Sequence, residues 1–251
     1  MIRVSGFHKA YGDVVAVREL SFEVAPGEIL GLVGPNGAGK TTTLRALAGV
    51  IPPTHGSMEV AGHDVTRDSV AAKASLAYIP DDPRLFDSLT VMEHLDFVSV
   101  TYNVQDAATK AETLLQQFEL TEKRDTVAQE LSRGMRQKVA ICCAYLHDPK
   151  TIFFDEPHTG LDPRGIRTMR ASIVERARSA ASVIVSSHLL SLVEDLCTHL
   201  LILHRGESLF FGRMEDVRAA YADMGGDSSL EEVFFRATEG TPASAQNGNA
   251  P

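Results

Sequence analysis

The stretch Gly34-Pro35-Asn36-Gly37-Ala38-Gly39-Lys40-Thr41 fits the pattern Gly-x-x-x-x-Gly-Lys-Ser/Thr and constrains this chain more than any other feature. The apolar run Ile29-Leu30-Gly31-Leu32-Val33 before it reads as a buried strand, and Thr42-Thr43-Leu44-Arg45-Ala46-Leu47-Ala48 after it reads as a helix. Glycines allow backbone angles and close approaches that a Cβ would block, so successive N–H groups can turn inward around an anion. The helix behind the loop adds its positive N-terminal end. Lys40 is then placed to reach the β- and γ-phosphates of a nucleoside triphosphate, and the Thr41 hydroxyl to ligate Mg²⁺. Gly34, Pro35, Asn36, Gly37, Ala38, Gly39, Lys40, Thr41 and Thr42 form the expected cradle. The competing reading, a glycine-rich turn with a chance Lys-Thr, does not account for the strand before it and the helix after it.

At 251 residues the chain has room for one large domain, or one domain with a subdomain. Its formal charge of −9 argues against general nucleic-acid binding, although Arg133, Arg136 and Lys138 lie close together. The three cysteines, with Cys142 and Cys143 adjacent, fit neither a disulfide framework nor a zinc template, and read as buried reduced thiols. No apolar stretch has the length of a bilayer span, and Met1–Gly6 lacks the apolar run of a secretion signal. The expectation is a soluble, cytoplasmic protein that reaches a membrane only through a partner.

Short β-type runs are expected over Ile2–Phe7, Val14–Val17, Leu20–Val24 and Ile29–Val33, with Pro26-Gly27 turning into the last. A further strand pair is expected around Ser57–Val60 and Ser75–Ile79. From Thr90 to about Leu146 the apolar spacing becomes helical; Thr151–Phe154, Val183–Ser186 and Leu200–Leu203 then read as strands separated by helices. Strands alternating with helices imply an α/β fold with a mostly parallel sheet covered on both faces, and the helical block reads as an insertion into it. Gly240–Pro251 has no apolar pattern and reads as a disordered tail.

Two further elements carry chemistry. Ile152-Phe153-Phe154-Asp155-Glu156 is an apolar strand that delivers carboxylates to its carboxyl end, where a nucleotide site needs them. Asp155 is placed to hold the metal and Glu156 to polarise a water toward the γ-phosphate. In Leu131-Ser132-Arg133-Gly134-Met135-Arg136-Gln137, Ser132 and Gly134 open a helix whose N-terminus suits an anion. A serine in that position also serves as a plain helix cap.

This last segment resembles the Leu-Ser-Gly-Gly-Gln signature of the ATP-binding cassette (ABC) ATPases, and the resemblance extends from residue 2 to about residue 212. It implies a P-loop NTPase core with a mostly parallel sheet, an N-terminal antiparallel β subdomain and an inserted helical signature subdomain. A single domain over residues 1–236 is implied, with the insertion at about 84–147 and a tail at 237–251. Tyr11 resembles the aromatic that stacks on adenine. Thr159-Gly160-Leu161-Asp162-Pro163 resembles the D-loop, which touches the opposing subunit, and Asp162 is expected among the nucleotide-binding residues. His188 resembles the switch histidine near the γ-phosphate. The resemblance implies ATP and Mg²⁺ as ligands and a homodimer or pseudo-dimer with ATP at its interface. It also implies a separately encoded membrane permease, with the chain peripheral on the cytoplasmic face of the membrane.

The departures from the family pattern are specific. Arg133 stands at the first signature glycine and Met135 at the glutamine, while His158 stands where Thr or Ser is common after Glu-Pro. Asp81, after Ala77-Tyr78-Ile79-Pro80, replaces the usual glutamine that touches metal and water. A carboxylate ~4 Å from a phosphate is repelled by roughly 4 kcal/mol at an effective dielectric near 20, so Asp81 is tolerable only with the metal between them or by swinging away. Asp81 is therefore expected in both the metal and the catalytic sets. Acidic replacements here, together with a Ser-x-Gly-Met signature, resemble bacterial ABC-2-type export cassettes. Leu85, Phe86 and Leu89 are candidates either for a docking surface or for packing in the helical lobe. Ser228–Phe235 is a candidate C-terminal helix. A soluble cassette ATPase acting on ribosomes, nucleic acid or a cluster-assembly scaffold is the second reading. A nucleotide-binding regulatory module without turnover is the third.

Overall fold

A computed structural model describes residues 1–217 together with Leu230, Glu231 and Phe234. Ten strands and seven α-helices are assigned among them: β1 (Ile2–Tyr11), β2 (Val14–Val24), β3 (Ile29–Val33), α1 (Lys40–Leu47), β4 (His55–Val60), β5 (His63–Asp64), α2 (Ser69–Ala74), β6 (Leu76–Ile79), α3 (Val91–Thr101), α4 (Ala107–Gln117), α5 (Arg133–Leu146), β7 (Thr151–Asp155), α6 (Pro163–Arg178), β8 (Ser182–Ser186), α7 (Leu190–Leu196), β9 (His199–His204) and β10 (Glu207–Arg213).

The strands form two sheets. One is antiparallel, in the order β2-β1-β4-β5; the other, in the order β10-β9-β3-β8-β7-β6, is parallel except for β10. Every residue of β3, β7 and β8 is buried, which explains why the middle of each is apolar, with polar residues only at the ends of β7 and β8. Side chains alternate between two cores. Leu30, Leu32, Phe153, Ile184 and Leu201 face the antiparallel sheet and α1, whereas Ile29, Val33, Phe154, Val185 and Ile202 face the helices of the other layer. In β2 the alternation is one-sided: Leu20, Phe22 and Val24 are buried and Ser21 and Glu23 exposed.

Two sequence expectations need correction here. Val14–Val17 and Leu20–Val24 are one strand, kinked at Glu19 (φ 45°) where the pairing with β1 shifts between Phe7↔Leu20 and Lys9↔Val17. The pair expected between Ser57–Val60 and Ser75–Ile79 does not form. β4 pairs with β1 (Ile2↔Val60), and β6 runs parallel to β7 (Ile79↔Phe154). The burial pattern gives the reason: Leu76 belongs to one core and Ala77 and Ile79 to the other, so β6 needs cover on both faces. An exposed edge strand, β10, was not foreseen; only Phe210 and Gly212 in it are even half-buried, so it carries no strong burial signal.

Helices α3, α4 and α5 stand between β6 and β7, where the helical insertion was expected. α3 starts with a reciprocal capping box: Glu93 N–H donates to Thr90 Oγ1 (3.2 Å) and Thr90 N–H to Glu93 Oε2 (2.7 Å). All three thiols are unpaired, with Cys142 and Cys197 buried and Cys143 half-buried. Among the described residues no helix is long and apolar enough to cross a membrane. Within the expected C-terminal helix, Leu230 is buried, and Leu230, Glu231 and Phe234 are helical. The rest of that segment, and the expected tail at 237–251, lie outside the described residues.

Candidate nucleotide site

Because β3, β6, β7 and β8 run parallel, their carboxyl ends emerge along one edge of the sheet, where ligands of such folds bind. The loop after β3 enters α1 through Gly39, whose φ of 106° excludes other residues without strain. A Cβ at Gly39 would also lie 2.8 Å from the carbonyl oxygen of Ala16, on β2. The antiparallel sheet thus presses directly on the phosphate loop. Lys40 is buried, and its Nζ donates to the carbonyls of Gly34 (2.7 Å) and Pro35 (3.3 Å). Burial pushes its pKa down, against the opposing pull of Glu156 and Asp155.

Asp155, only 1% exposed, gathers three elements. Its Oδ1 accepts from Ser186 Oγ (2.6 Å) and Thr41 Oγ1 (3.2 Å), and its Oδ2 accepts from Tyr78 OH (3.2 Å). Strand register makes this possible, since Asp155 lies opposite Ser186 and Tyr78 opposite Phe153. Burial, followed by the neighbouring Asp155 charge, pushes the Tyr78 phenol up to about 12. The Tyr78 hydroxyl also holds Arg45 above its ordinary pKa.

Glu156 leaves the strand with φ 49°, a strained conformation for a non-glycine residue. Its amide is fixed by Ser186, donating to the carbonyl at 3.1 Å and the hydroxyl at 3.3 Å. Its Oε2 lies 2.8 Å from His188 Nδ1 and accepts from the His188 amide at 3.3 Å. His158 Nε2 is 3.9 Å from the same oxygen. Burial lowers the His158 pKa, Glu156 opposes that shift and His188 reinforces it.

Asn36, Gly37, Ala38, Gly39, Lys40, Thr41 and Thr42 line a cavity of about 270 Å³ together with Ala16, Asp81 and Glu156. Gly34, Pro35, Asn36 and His188 line an adjacent one of about 300 Å³ with Ser187, Leu190 and Phe234. Tyr11 lines neither; it is half-exposed at the end of β1, with Lys9 Nζ 4.8 Å from its ring centre.

Ser132, Gly134 and Asp162 also stand apart from the phosphate loop. They line a separate cavity of about 230 Å³ with Met135, Lys138, Gly160 and Leu161, and it shares no residue with the phosphate-loop cavities. Ser132 caps α5 by accepting from Met135 N–H (3.3 Å), and Asp162 caps α6 by accepting from Gly165 N–H (2.8 Å). Gly134 packs against Gly160, whose own φ is 81°.

Sequence reasoning assigned no role to Ser186, Tyr78, Arg45 or Ala16. The contacts of Ser186 and Tyr78 with Asp155 follow from cross-strand register, which has no local sequence signal.

An ABC transporter family model matches residues 17–159. The chain is 33% identical over 241 residues to the ABC-type transporter ATP-binding protein EcsA of Bacillus subtilis, covering 95% of this chain and 97% of that protein. It is 30% identical over 233 residues to the linearmycin resistance ATP-binding protein LnrL of the same organism, covering 92% of this chain and 74% of that protein. A solved structure described as the ATP binding subunit of an ABC transporter superposes with a TM-score of 0.89 at 30% identity, covering 94% of this chain and 99% of that one.

The packing at Gly134 allows a sharp test. Alanine in a helix is ordinarily more stable than glycine by up to about 1 kcal/mol. Here an added Cβ would meet the Gly160 carbonyl oxygen at 2.3 Å, a backbone atom that cannot rotate away. Over-packing of this kind costs about 1–3 kcal/mol. Gly134→Ala is therefore expected to lower unfolding free energy by roughly 1–2 kcal/mol in urea titrations. An unchanged or raised midpoint would show that the two loops can separate freely.

Proposed function

The chain belongs to the ABC transporter family as an ATP-binding subunit, and from that membership we propose that it hydrolyses ATP between two cassettes to drive transport through a separate membrane protein. The observation that carries the reading is the meeting of Glu156 and the phosphate loop in one cavity, with His188 on the Glu156 carboxylate. The loop amides and the α1 N-terminus bind the phosphates, and Lys40 leaves its carbonyl partners to follow the γ-phosphate charge. Glu156, held by Ser186 and His188, takes a proton from the attacking water as its oxygen bonds to γ-phosphorus and the bond to the bridging oxygen breaks. His188 fixes the carboxylate that does so.

The residues present suit Mg²⁺. Thr41 and Asp155 offer oxygen donors already in contact, and Asp81 adds a carboxylate on the same cavity. When bound, the ion neutralises charge on the phosphates. Thr41, Asp155 and Asp81 would hold it.

Ser132 and Gly134, placed away from the chain's own phosphate loop, are free to close on the γ-phosphate held by a second cassette. The arrangement is a head-to-tail pair with two ATP molecules. Asp162 lies on that face, and exposed Tyr11 offers a ring for adenine. Loss of the γ-phosphate then removes the bridge and the pair opens.

A cavity of about 400 Å³ runs beside the helical insertion, with Val50, Leu85, Val98, Tyr102, Ala144 and His147 in its wall. Leu85 packs against the helical core, whereas Phe86 is 55% exposed and touches His94 and Phe97. This groove is the proposed seat for a cytoplasmic helix of the membrane subunit, which would hold the cassette at the cytoplasmic face. The resistance function in the name of LnrL supports export. An acidic chain with a single phosphate loop does not favour a ribosome- or nucleic-acid-directed role.

Glu156→Gln tests the catalytic assignment. General-base loss should reduce phosphate release by about 10²–10⁴ while ATP binding persists and an ATP-dependent dimer accumulates in gel filtration. Turnover near the wild-type rate would overturn it. Asp81→Asn tests the metal assignment: the Mg²⁺ concentration for half-maximal turnover of the assembled complex should rise, and an unchanged Mg²⁺ dependence would remove Asp81 from that set.

A further inference from the structure

His158 does no work in the mechanism above, yet it is aimed into the site. It follows Glu156 by two residues, and His188 comes to the same point from the end of β8. One ligand atom from each of Glu156, His158 and His188 lies within 4.8 Å of the other two, the only such group of three among the described residues. The imidazole centres are 5.1 Å apart with the rings inclined at 60°. His158 is only 10% exposed and its Nδ1 has no hydrogen-bond partner, while His188, 60% exposed, leaves the cluster open to solvent.

Two imidazoles and one carboxylate are a zinc-type donor set. Ligand atoms on a tetrahedral zinc sit ~3.4 Å apart, given bonds of about 2.0–2.1 Å. The contacts of 2.8 Å (Glu156 to His188) and 3.9 Å (Glu156 to His158) bracket that spacing, and with all three ligand atoms within 4.8 Å of one another the shell closes if the two imidazoles draw together. Magnesium prefers oxygen ligands in octahedral array and belongs with Thr41 and Asp155 instead.

We propose that Glu156, His158 and His188 form a zinc-class transition-metal site, separate from the Mg²⁺ ligands and open when no ATP is bound. The metal takes lone pairs from Glu156 Oε2, His158 Nε2 and His188 Nδ1. His188 then keeps its ring proton on Nε2, and no electron transfer is involved. With its carboxylate committed to the metal, Glu156 cannot accept a proton from water, so the metal acts as an inhibitor. That consequence rests on the catalytic role proposed for Glu156; the site itself does not.

The test is a calorimetric titration of zinc chloride into the full-length chain without nucleotide or Mg²⁺. Wild type is expected to bind one equivalent per chain. His158→Thr, checked for folding by circular dichroism, should bind at least about tenfold more weakly for want of one of three ligands. His158→Ser repeats the measurement with a second side chain. His55→Ala, at an exposed histidine whose ring lies 5.8 Å from that of half-buried His8, should leave binding unchanged. Absence of stoichiometric binding in wild type, wild-type affinity in both His158 variants, or loss of binding in His55→Ala would each overturn the site. Since no ATP is present, none of these results bears on whether the chain is an ATPase.

Discussion

The buried carboxylate of Asp155 is the contact on which the phosphate-binding half of the molecule depends. Its two oxygens accept from Thr41 at the start of α1, Tyr78 on β6 and Ser186 on β8, so one side chain ties the helix to two strands flanking its own. A buried carboxylate without partners would be costly, and each of these hydroxyls repays part of its lost hydration. The same strand end then delivers Glu156, whose strained backbone is held by Ser186. The start of α1 and the Glu156 backbone are thereby held by one hydrogen-bonded cluster.

The opposite constraint governs the signature. Gly134 is pressed against Gly160 so closely that no Cβ fits, and Arg133 packs over the same glycine while donating to the Asp81 carbonyl at 3.4 Å. The signature is thus fastened to the loop that runs from Glu156 to Asp162, and through Arg133 to the segment that carries Asp81. Yet its cavity shares no lining residue with the chain's own phosphate-loop cavities. In the function proposed above, these two cavities are half-sites carried by one chain, with the Glu156–Asp162 loop between them.

Much of this was legible in the sequence. The phosphate loop, Asp155 and Glu156 are readable from local order, a strand followed by a turn and a helix N-terminus or by an acidic strand end, whereas Ser132 and His188 are singled out by the resemblance to ABC cassettes. What escaped depends on register. Ser186 and Tyr78 meet Asp155 only because β7 lies between β6 and β8, and nothing within either segment encodes that neighbour. The mistaken pairing of Ser57–Val60 with Ser75–Ile79 has the same origin, since both are short β-type segments and only burial on two faces separates β6 from a one-sided strand. Asp162 was read for its place beside a nucleotide, and in the folded chain its carboxylate caps α6. His158 was noticed only as a departure from pattern; the fold brings it to Glu156 and His188.

The central claim, that a working site takes its phosphate loop from one copy and its signature from another, is tested most directly by mixing two inactive chains. Lys40→Ala disables the loop and Ser132→Arg disables the signature, so each variant alone should fail to cleave ATP in a single-turnover assay with the membrane subunit. Combined, they can form pairs in which one intact loop faces one intact signature, and cleavage is expected to return. If the mixture stays as inactive as its components while mixed pairs are shown to form, the site is not shared between copies.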